Sequence, residues 1–224
     1  MLRRGQAVSR YSAPVPPLAC NPTAVCRTSA GTFSIELFLS QSPLTASNVI
    51  GLIRSGFYDG LHIHRVIPGT LVQFGCPRSR DLSGADGRPG SGGPPPGSTF
   101  ENISTGDVVT RTELKGKGVI PDERVARISN APGTLAMANT GPNSAGSQFF
   151  VNVRRSTSLD WFSPGPSRHV VFGQVIDNFE LIERMSEVDT GDYGGHIPAT
   201  PIQMESIVLT MGAQPQVPSE SGPV

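Results

Sequence analysis

The chain has 224 residues, of which 37% are hydrophobic and 16% charged, so it is long enough for one large globular domain with an apolar core. Its net charge is zero, which provides no basic field for nucleic acid and no acidic field for cationic partners. The 26 Gly and 21 Pro favour many short elements joined by turns. No apolar run approaches membrane-spanning length, so we expect no membrane segment.

The first 21 residues are rich in Pro and Ser and predict a flexible N-terminal arm. They lack the apolar segment of a secretory signal. They carry Arg3, Arg4 and Arg10, and no acidic residue precedes Glu36. This pattern leaves a mitochondrial presequence open as an alternative to a basic arm in the cytoplasm.

Three cysteines, Cys20, Cys26 and Cys76, are too few and too irregularly spaced for a disulfide framework or a zinc site. A reducing compartment is the simpler interpretation of this usage. We therefore expect a cytoplasmic protein.

The first elements of the fold are a hairpin and a helix. TAVCRTS (23–29) and TFSIELF (32–38) flank Ala30-Gly31 and predict two paired strands. Ser42-Pro43 then predicts a helix start, with a capping hydroxyl followed by Pro at the first helical position. Apolar side chains recur at i, i+3, i+4 and i+7 from Ala46, and Gly56 ends the helix.

The rest of the chain predicts mostly short strands. Segments 77–99, of almost pure loop composition, and 102–130, which is irregular, form one long insertion, and 213–224 predicts a flexible tail. A second helix is expected over about 178–188. Further strands are expected at 62–67, 70–75, 134–137, 148–153, 169–175 and 203–211. Many strands and only two helices indicate a mainly β fold, a closed barrel with helices packed outside it.

Chemistry-bearing residues concentrate in three segments. In HIHRVIPGTLVQFG (62–75), strand alternation places Arg65 opposite His64 and puts Leu71 and Gln73 on one face. In MANTGPNSAGSQFF (137–150), no residue is charged, and Gln148 shares a face with Phe150. The third segment, SRHVVFG (167–173), places His169 at the start of a strand.

Two conventional catalytic arrangements are weakly supported. His62 and His64 share a face, but no third ligand stands at a spacing typical of a metal site. Ser147 and His169 would be a nucleophile and its base, but AGSQF is not G-x-S-x-G and no acid is placed to orient the histidine. We predict no metal and no cofactor.

The runs HRVIPGTLVQFG, GTLAMANTGPNSAGSQFFV and HVVFGQVI, in this order, resemble the cyclophilin family of peptidyl-prolyl cis/trans isomerases. The similarity extends from about Thr23 to Met211 and includes SPLTASNVIGLIRSGFYDG. It implies a closed eight-stranded antiparallel β-barrel capped by two α-helices, in a domain over 22–212 with the insertion at about 77–130. Asp122-Glu123 resembles the family's Asp-Glu pair, where the insertion would return to the common fold.

The resemblance also implies roles for individual residues. Arg65 matches the catalytic arginine, with Gln73 beside it, Gln148 supporting it and Asn139 binding the peptide backbone. The groove for the proline ring and its neighbours would be formed by Leu71, Ala138, Phe150, Leu159 and His169. The implied partners are Xaa-Pro peptides and proteins, acted on by a monomer that assists folding or conformational switching. A proline-peptide adaptor with weak or no turnover is the alternative.

Departures from the family pattern affect the walls of this groove. Thr70 stands where most members carry Phe, and Leu71 where many carry Met. The family's cyclosporin-binding Trp should fall at Ser158, whereas Trp161 is displaced into a longer loop, WFSPGPSR. We therefore expect reduced affinity for cyclosporin, unless Trp161 fills the vacant position.

Overall fold

The computed structural model describes residues 21–83, 85, 87–166, 168–191 and 196–210. Two α-helices, α1 (Pro43–Arg54) and α2 (Phe179–Ser186), accompany thirteen strands within these ranges. The strands are β1 (Thr23–Thr28), β2 (Gly31–Leu37), β3 (Leu61–His62), β4 (Arg65–Ile67), β5 (Leu71–Phe74), β6 (Thr99–Glu101), β7 (Val108–Thr110), β8 (Thr112–Leu114), β9 (Lys117–Val119), β10 (Thr134–Met137), β11 (Phe149–Asn152), β12 (Val171–Asp177) and β13 (Gln203–Thr210). The predicted tail and all but the last residue of the predicted arm lie outside the described residues. No described helix is long and apolar enough to cross a membrane.

One antiparallel sheet of nine strands dominates the fold, in the order β3-β13-β1-β2-β12-β10-β11-β5-β4. Its two end strands, β3 and β4, are separated along the chain only by Ile63 and His64. The Ile63 N–H donates to the Ile202 carbonyl (2.9 Å), and the His64 N–H donates to the Gln73 carbonyl (3.3 Å). The single strand predicted over 62–67 is divided at this point, so eight expected strands appear as nine. The mainly β fold with two helices is confirmed.

Alternation along the strands divides the apolar side chains between two clusters. Phe149 packs in the main core, together with the apolar face of α1 that was predicted from Ala46 onward. Phe150, its neighbour, points to the other side of the sheet and packs with Leu71 in a smaller cluster. Successive strand residues face opposite ways, so the Phe-Phe pair contributes one ring to each cluster. The smaller cluster forms the floor of the candidate site.

The start of α1 differs from the sequence prediction. The Ser42 side chain makes no capping hydrogen bond, and its hydroxyl donates instead to the Val171 carbonyl (3.0 Å). The carboxylate of Glu123 accepts from the N–H groups of Leu44 and Thr45, both at 2.8 Å. A carboxylate is favourable at this end of the helix because it satisfies free N–H groups and faces the positive end of the helix dipole. Glu123 therefore ties the end of the insertion to α1.

The insertion is more ordered than its composition predicts, and the irregular structure expected over 102–130 is wrong in part. Strands β6 and β7 form one two-stranded sheet, and β8 and β9 form another. Each strand has three residues, which is too short for an alternation pattern to be recognisable. Arg111 joins β7 to β8 and is buried. It donates to the Asn48 side chain of α1 (2.8 Å) and lies 4.8 Å from the centre of the Phe100 ring.

Candidate active site

Arg65 and Gln73 lie opposite each other on the paired strands β4 and β5. Arg65 is exposed, whereas its neighbour Val66 points into the core, as alternation predicts. Nη1 of Arg65 donates to Oε1 of Gln73 (3.2 Å). Arg65 also lines the groove in front of the sheet.

Gln148 continues this hydrogen-bond chain from the adjacent strand. Its Oε1 accepts from Nε2 of Gln73 and bonds to Nε2 of His64, both at 3.1 Å. Its Nε2 donates to the carbonyl groups of Gly90 (2.8 Å) and Gly92 (2.7 Å). All four polar positions of the amide are thereby used, so the orientation of Gln148 is fixed. An oriented amide in turn fixes Gln73 and, through it, Arg65.

His64 is neutral in this arrangement. Because both N–H groups of the Gln148 amide point to glycine carbonyls, Oε1 faces His64, and Nε2 of the imidazole must be the donor. Nδ1 of His64 is buried and has no hydrogen-bond partner. Desolvation by burial lowers the pKa of His64 to about 4, although the bond to Gln148 acts in the opposite direction. Burial therefore disfavours the charged imidazolium, in which both ring nitrogens carry a proton.

The five residues predicted to form the substrate groove line one depression beside Arg65. Phe150 lies at its floor, 3% exposed, with the His169 ring edge-on at 5.2 Å. Nδ1 of His169 bonds to the Met137 carbonyl (2.8 Å), and burial lowers the pKa of this histidine. The lining includes Leu71, Ala138, Phe150, Leu159 and His169, together with Arg65, Gln73 and Asn139. Its volume is about 830 Å³, enough for a proline ring and adjacent residues.

Asn139 and Ala138 form the polar edge of this depression. Nδ2 of Asn139 donates to the Arg168 carbonyl (2.6 Å), which holds the side chain at the rim. The Ala138 N–H donates to the Gln148 carbonyl (2.9 Å), as part of the turn that joins β10 to β11. Uncharged amides on such an edge suit the N–H and C=O groups of an extended peptide of any sequence.

Residues 88–92, here called the strap, are loop, as their composition predicts, but hydrogen bonds tie them to the candidate site. Besides accepting from Gln148, the strap donates the N–H groups of Gly90 and Gly92 to the buried sulfur of Cys76 (3.1 and 3.2 Å). Residues 88–91 of the strap and His64 also line the groove. The sequence offered no signal for these contacts, because the strap binds mostly through its backbone.

The two conventional arrangements that the sequence weakly supported do not form. Ser147 is buried, and its hydroxyl donates to the Gly75 carbonyl (2.7 Å) rather than to His169. Nδ1 of His62 bonds to the Ser79 carbonyl (2.7 Å), away from His64. Among the described residues, no group of three potential ligands is placed to hold a metal ion.

Residues 23–209 match the family model of cyclophilin-type peptidyl-prolyl cis-trans isomerases. The chain is a cyclophilin. It is 34% identical over 169 residues to the peptidyl-prolyl cis-trans isomerase CYP18-2 of Arabidopsis thaliana, covering 75% of this chain and 83% of that protein. It is 30% identical over 195 residues to a peptidyl-prolyl cis-trans isomerase of Acinetobacter baylyi, covering 84% and 86%.

Solved structures agree with this assignment. A cyclophilin-type isomerase of Cryptosporidium parvum superposes with a TM-score of 0.63 at 27% identity, over 85% of this chain and 98% of that one. The same protein was also solved in the presence of the dipeptide Ala-Pro, and that structure gives a TM-score of 0.62.

Three residues at which this cyclophilin departs from the family pattern, Thr70, Ser158 and Trp161, lie outside the lining of the groove. Thr70 does not line the groove, and its hydroxyl donates to the Pro68 carbonyl (3.1 Å), while Ile67 and Leu71 provide the wall on that side. Ser158 is exposed in the turn before Leu159. Nε1 of Trp161 donates to the Ala126 carbonyl (3.1 Å), so the indole is held against the insertion and does not line the groove.

Proposed function

We propose that this cyclophilin accelerates rotation about Xaa-Pro peptide bonds in the groove beside Arg65. The observation that carries the proposal is the hydrogen-bond chain from Arg65 through Gln73 to Gln148, next to the apolar floor at Phe150. This arrangement supports the roles that the sequence predicted for these residues. Through it, the protein would assist folding or conformational switching of proline-containing proteins.

The reaction requires positioning and one directed donor. Rotation about a peptide bond has a barrier of about 18–20 kcal/mol and breaks no covalent bond. As amide resonance is lost, a lone pair returns to the prolyl nitrogen, and a guanidinium placed there donates to a lone pair that is absent in the ground state. Such binding lowers the barrier selectively.

One hydrogen bond is insufficient for a large acceleration. A rate increase of about 10⁵ requires roughly 7 kcal/mol, at about 1.36 kcal/mol per decade. Holding the proline ring on Phe150 and Leu71, and the peptide backbone on Asn139, would contribute the rest by fixing the ring while the preceding carbonyl rotates.

The test is isomerisation of Ala-Pro peptides by wild type and Arg65→Ala, measured by NMR exchange together with peptide binding. Arg27→Ala, an exposed arginine on β1, is the matched control. We expect Arg65→Ala to lose most turnover while it still binds peptide and keeps its melting temperature. Wild-type binding without turnover would identify the adaptor instead. Loss of turnover with a large fall in melting temperature would contradict the assigned role of Arg65.

We also propose that cyclosporin binds weakly. Ser158 provides no aromatic wall, and the indole of Trp161 is engaged by Ala126. Loss of one hydrogen bond and one apolar contact corresponds to roughly one to two decades of affinity. Calorimetric titration of wild type, Trp161→Ala and Ser158→Trp tests this. We expect Ser158→Trp to bind more tightly and Trp161→Ala to match wild type; nanomolar wild-type binding that disappears in Trp161→Ala would contradict it.

Location and assembly are further proposals. We propose a monomer in the cytoplasm, supported by the free buried thiols of Cys26 and Cys76, which suit a reducing compartment. The basic residues Arg3, Arg4 and Arg10 support the mitochondrial alternative. Imaging of a C-terminal fluorescent fusion distinguishes the compartments, and sedimentation of the purified chain tests the monomer.

A further inference from the structure

The groove and its two neighbouring depressions are lined by basic side chains. All three depressions share Asn139 and Thr140, and none of the described residues that line them is acidic. The Lys and Arg residues are Lys117 in the first, Arg65 and Arg88 in the second, and Arg124 and Arg168 in the third. The whole chain has 18 basic and 18 acidic residues, so this segregation does not reflect its overall charge.

Four of these cations lack a carboxylate partner within the described part of the chain. Lys117, Arg65, Arg88 and Arg168 form no ion pair there, and the one ion pair found joins Arg124 to Asp122 (2.6 Å). Arg124 is therefore largely compensated. Lys117 is only partly exposed in the first depression, and burial lowers its pKa. Since Arg65 is assigned to the prolyl nitrogen, the charges left to meet flanking residues of a substrate are those of Arg88 and Arg168.

Arg88 and Arg168 stand in different depressions. Arg88 is exposed on the strap, beside the part of the groove that contains Arg65. Arg168 follows the other wall, next to His169 in sequence, and its Nη1 donates to the Trp161 carbonyl (2.7 Å). Its own carbonyl accepts from Asn139. Arg168 is thus held at the rim before a ligand arrives, which reduces the entropy lost on forming an ion pair.

We propose that Arg88 and Arg168 make this cyclophilin select Xaa-Pro segments with anionic residues on either side of the proline-containing dipeptide. The ligand chemistry is a carboxylate or a phosphorylated hydroxyl, because a guanidinium binds both as a planar fork. Attraction between the cationic side chains around the groove and an anionic substrate also steers association and makes it sensitive to salt. This inference rests on the proposed isomerase function of the same groove.

The experiment uses Ala-Pro peptides flanked by Glu, phosphoserine, Gln or Lys, before or after the dipeptide. For each peptide, kcat/KM is measured by NMR exchange and Kd by chemical-shift titration, at low salt and at about 0.5 M salt, where screening is strong. The variants are Arg88→Gln, Arg168→Gln and the double variant. Arg27→Gln and Arg54→Gln, at exposed positions on β1 and at the end of α1, are the controls.

At low salt, we expect kcat/KM for Glu peptides to exceed that for Gln peptides by roughly two- to fivefold per charged position, as for exposed ion pairs. Lys peptides should have the lowest kcat/KM. High salt should remove the difference, and each variant should remove it for a different flank of the dipeptide.

A larger increase in kcat/KM from phosphoserine than from Glu would point to phosphorylated segments, and an equal increase to acidic ones. Equal values for Glu and Gln, or a preference that survives in the double variant, would overturn the proposal. If charge-selective binding occurs without turnover of any peptide, the isomerase function fails and the selectivity stands.

Discussion

At the scale of single residues, Arg65 depends on its shape as well as its charge. Arg65→Lys keeps a cation, but an ammonium cannot bond to Gln73 and still present a fixed planar donor to the prolyl nitrogen. We expect kcat to fall by about 10²-fold, as for removal of a donor that acts in the transition state, with little change in KM. Exchange spectroscopy at saturating peptide separates the two constants. A raised KM with unchanged kcat would show that Arg65 only binds substrate.

A second residue-scale prediction concerns His64 and pH. Its pKa in the fold is about 4, below the ordinary 6.5, so the unfolded chain takes up a proton that the folded chain does not. Stability should therefore fall as pH decreases from about 6.5 to 4, by at most about 3 kcal/mol at 1.36 kcal/mol per pKa unit. His169, whose pKa is also lowered, acts in the same direction.

Comparison with His64→Gln isolates this contribution, since Gln keeps an N–H donor for Gln148 but does not titrate. Urea unfolding at pH 7 and pH 4.5 should show a smaller loss of unfolding free energy in the variant than in wild type. Parallel losses in the two proteins would refute the assignment of this pH dependence to His64.

Sequence reasoning was effective where the direction of a side chain depends only on its position along one strand. The two-residue period placed Arg65, Leu71 and Gln73 on the groove face, and the structure brings them there. It could not show that Gln148 is held by Gly90 and Gly92, which lie 58 and 56 residues away and accept through backbone carbonyls. Sequence patterns report on side chains, whereas every residue has a backbone carbonyl. Nothing in the sequence therefore marks these two carbonyls as the acceptors.

At the scale of elements, the strap shows that a Gly/Pro-rich segment can be structurally specific. The sequence predicts that shortening 77–99 hardly changes stability. The structure restricts that expectation to parts outside the strap, because residues 88–92 hold both Gln148 and Cys76. The φ angle of Gly90 is +92°, and a Cβ there would lie 3.3 Å from Cδ2 of His64.

Gly90→Ala should therefore lower turnover as well as stability. Gly97→Ala is the matched control, since Gly97 also has a positive φ (+74°) but nothing lies within 4 Å of its added Cβ. Both variants should lose about 1 kcal/mol of unfolding free energy through backbone strain. Only Gly90→Ala should also lower kcat/KM, because only Gly90 contacts His64 and Gln148. Equal kcat/KM in the two variants would mean that the strap does not position the site.

At the scale of the whole molecule, the two ends of the described chain depend on each other. Strand β1 lies between β2 and β13, and the register pairs Thr23 with Thr210. Strand β13 also pairs with β3, which leads directly into the catalytic segment. The hairpin of β1 and β2 was predictable because its turn is local, whereas the pairing of β1 with β13 spans almost the whole domain and leaves no local signature.

This topology predicts sharp limits for truncation. A chain of residues 21–210 should keep the unfolding free energy of the full chain within about 1 kcal/mol, and its kcat/KM, because it retains every strand of the large sheet. A chain that ends at residue 202 should not unfold cooperatively, since loss of β13 removes one of the two partners of β1 and the strand with which β3 pairs. Urea unfolding followed by circular dichroism, with peptide exchange on the same samples, measures both effects.

If the 21–210 chain loses several kcal/mol of unfolding free energy, residues 1–20 or 211–224 contribute to the fold, and the predicted domain boundaries are wrong. If the 202 chain unfolds cooperatively with turnover intact, the last strand is dispensable, and the connection between the ends of the chain does not hold the groove in place.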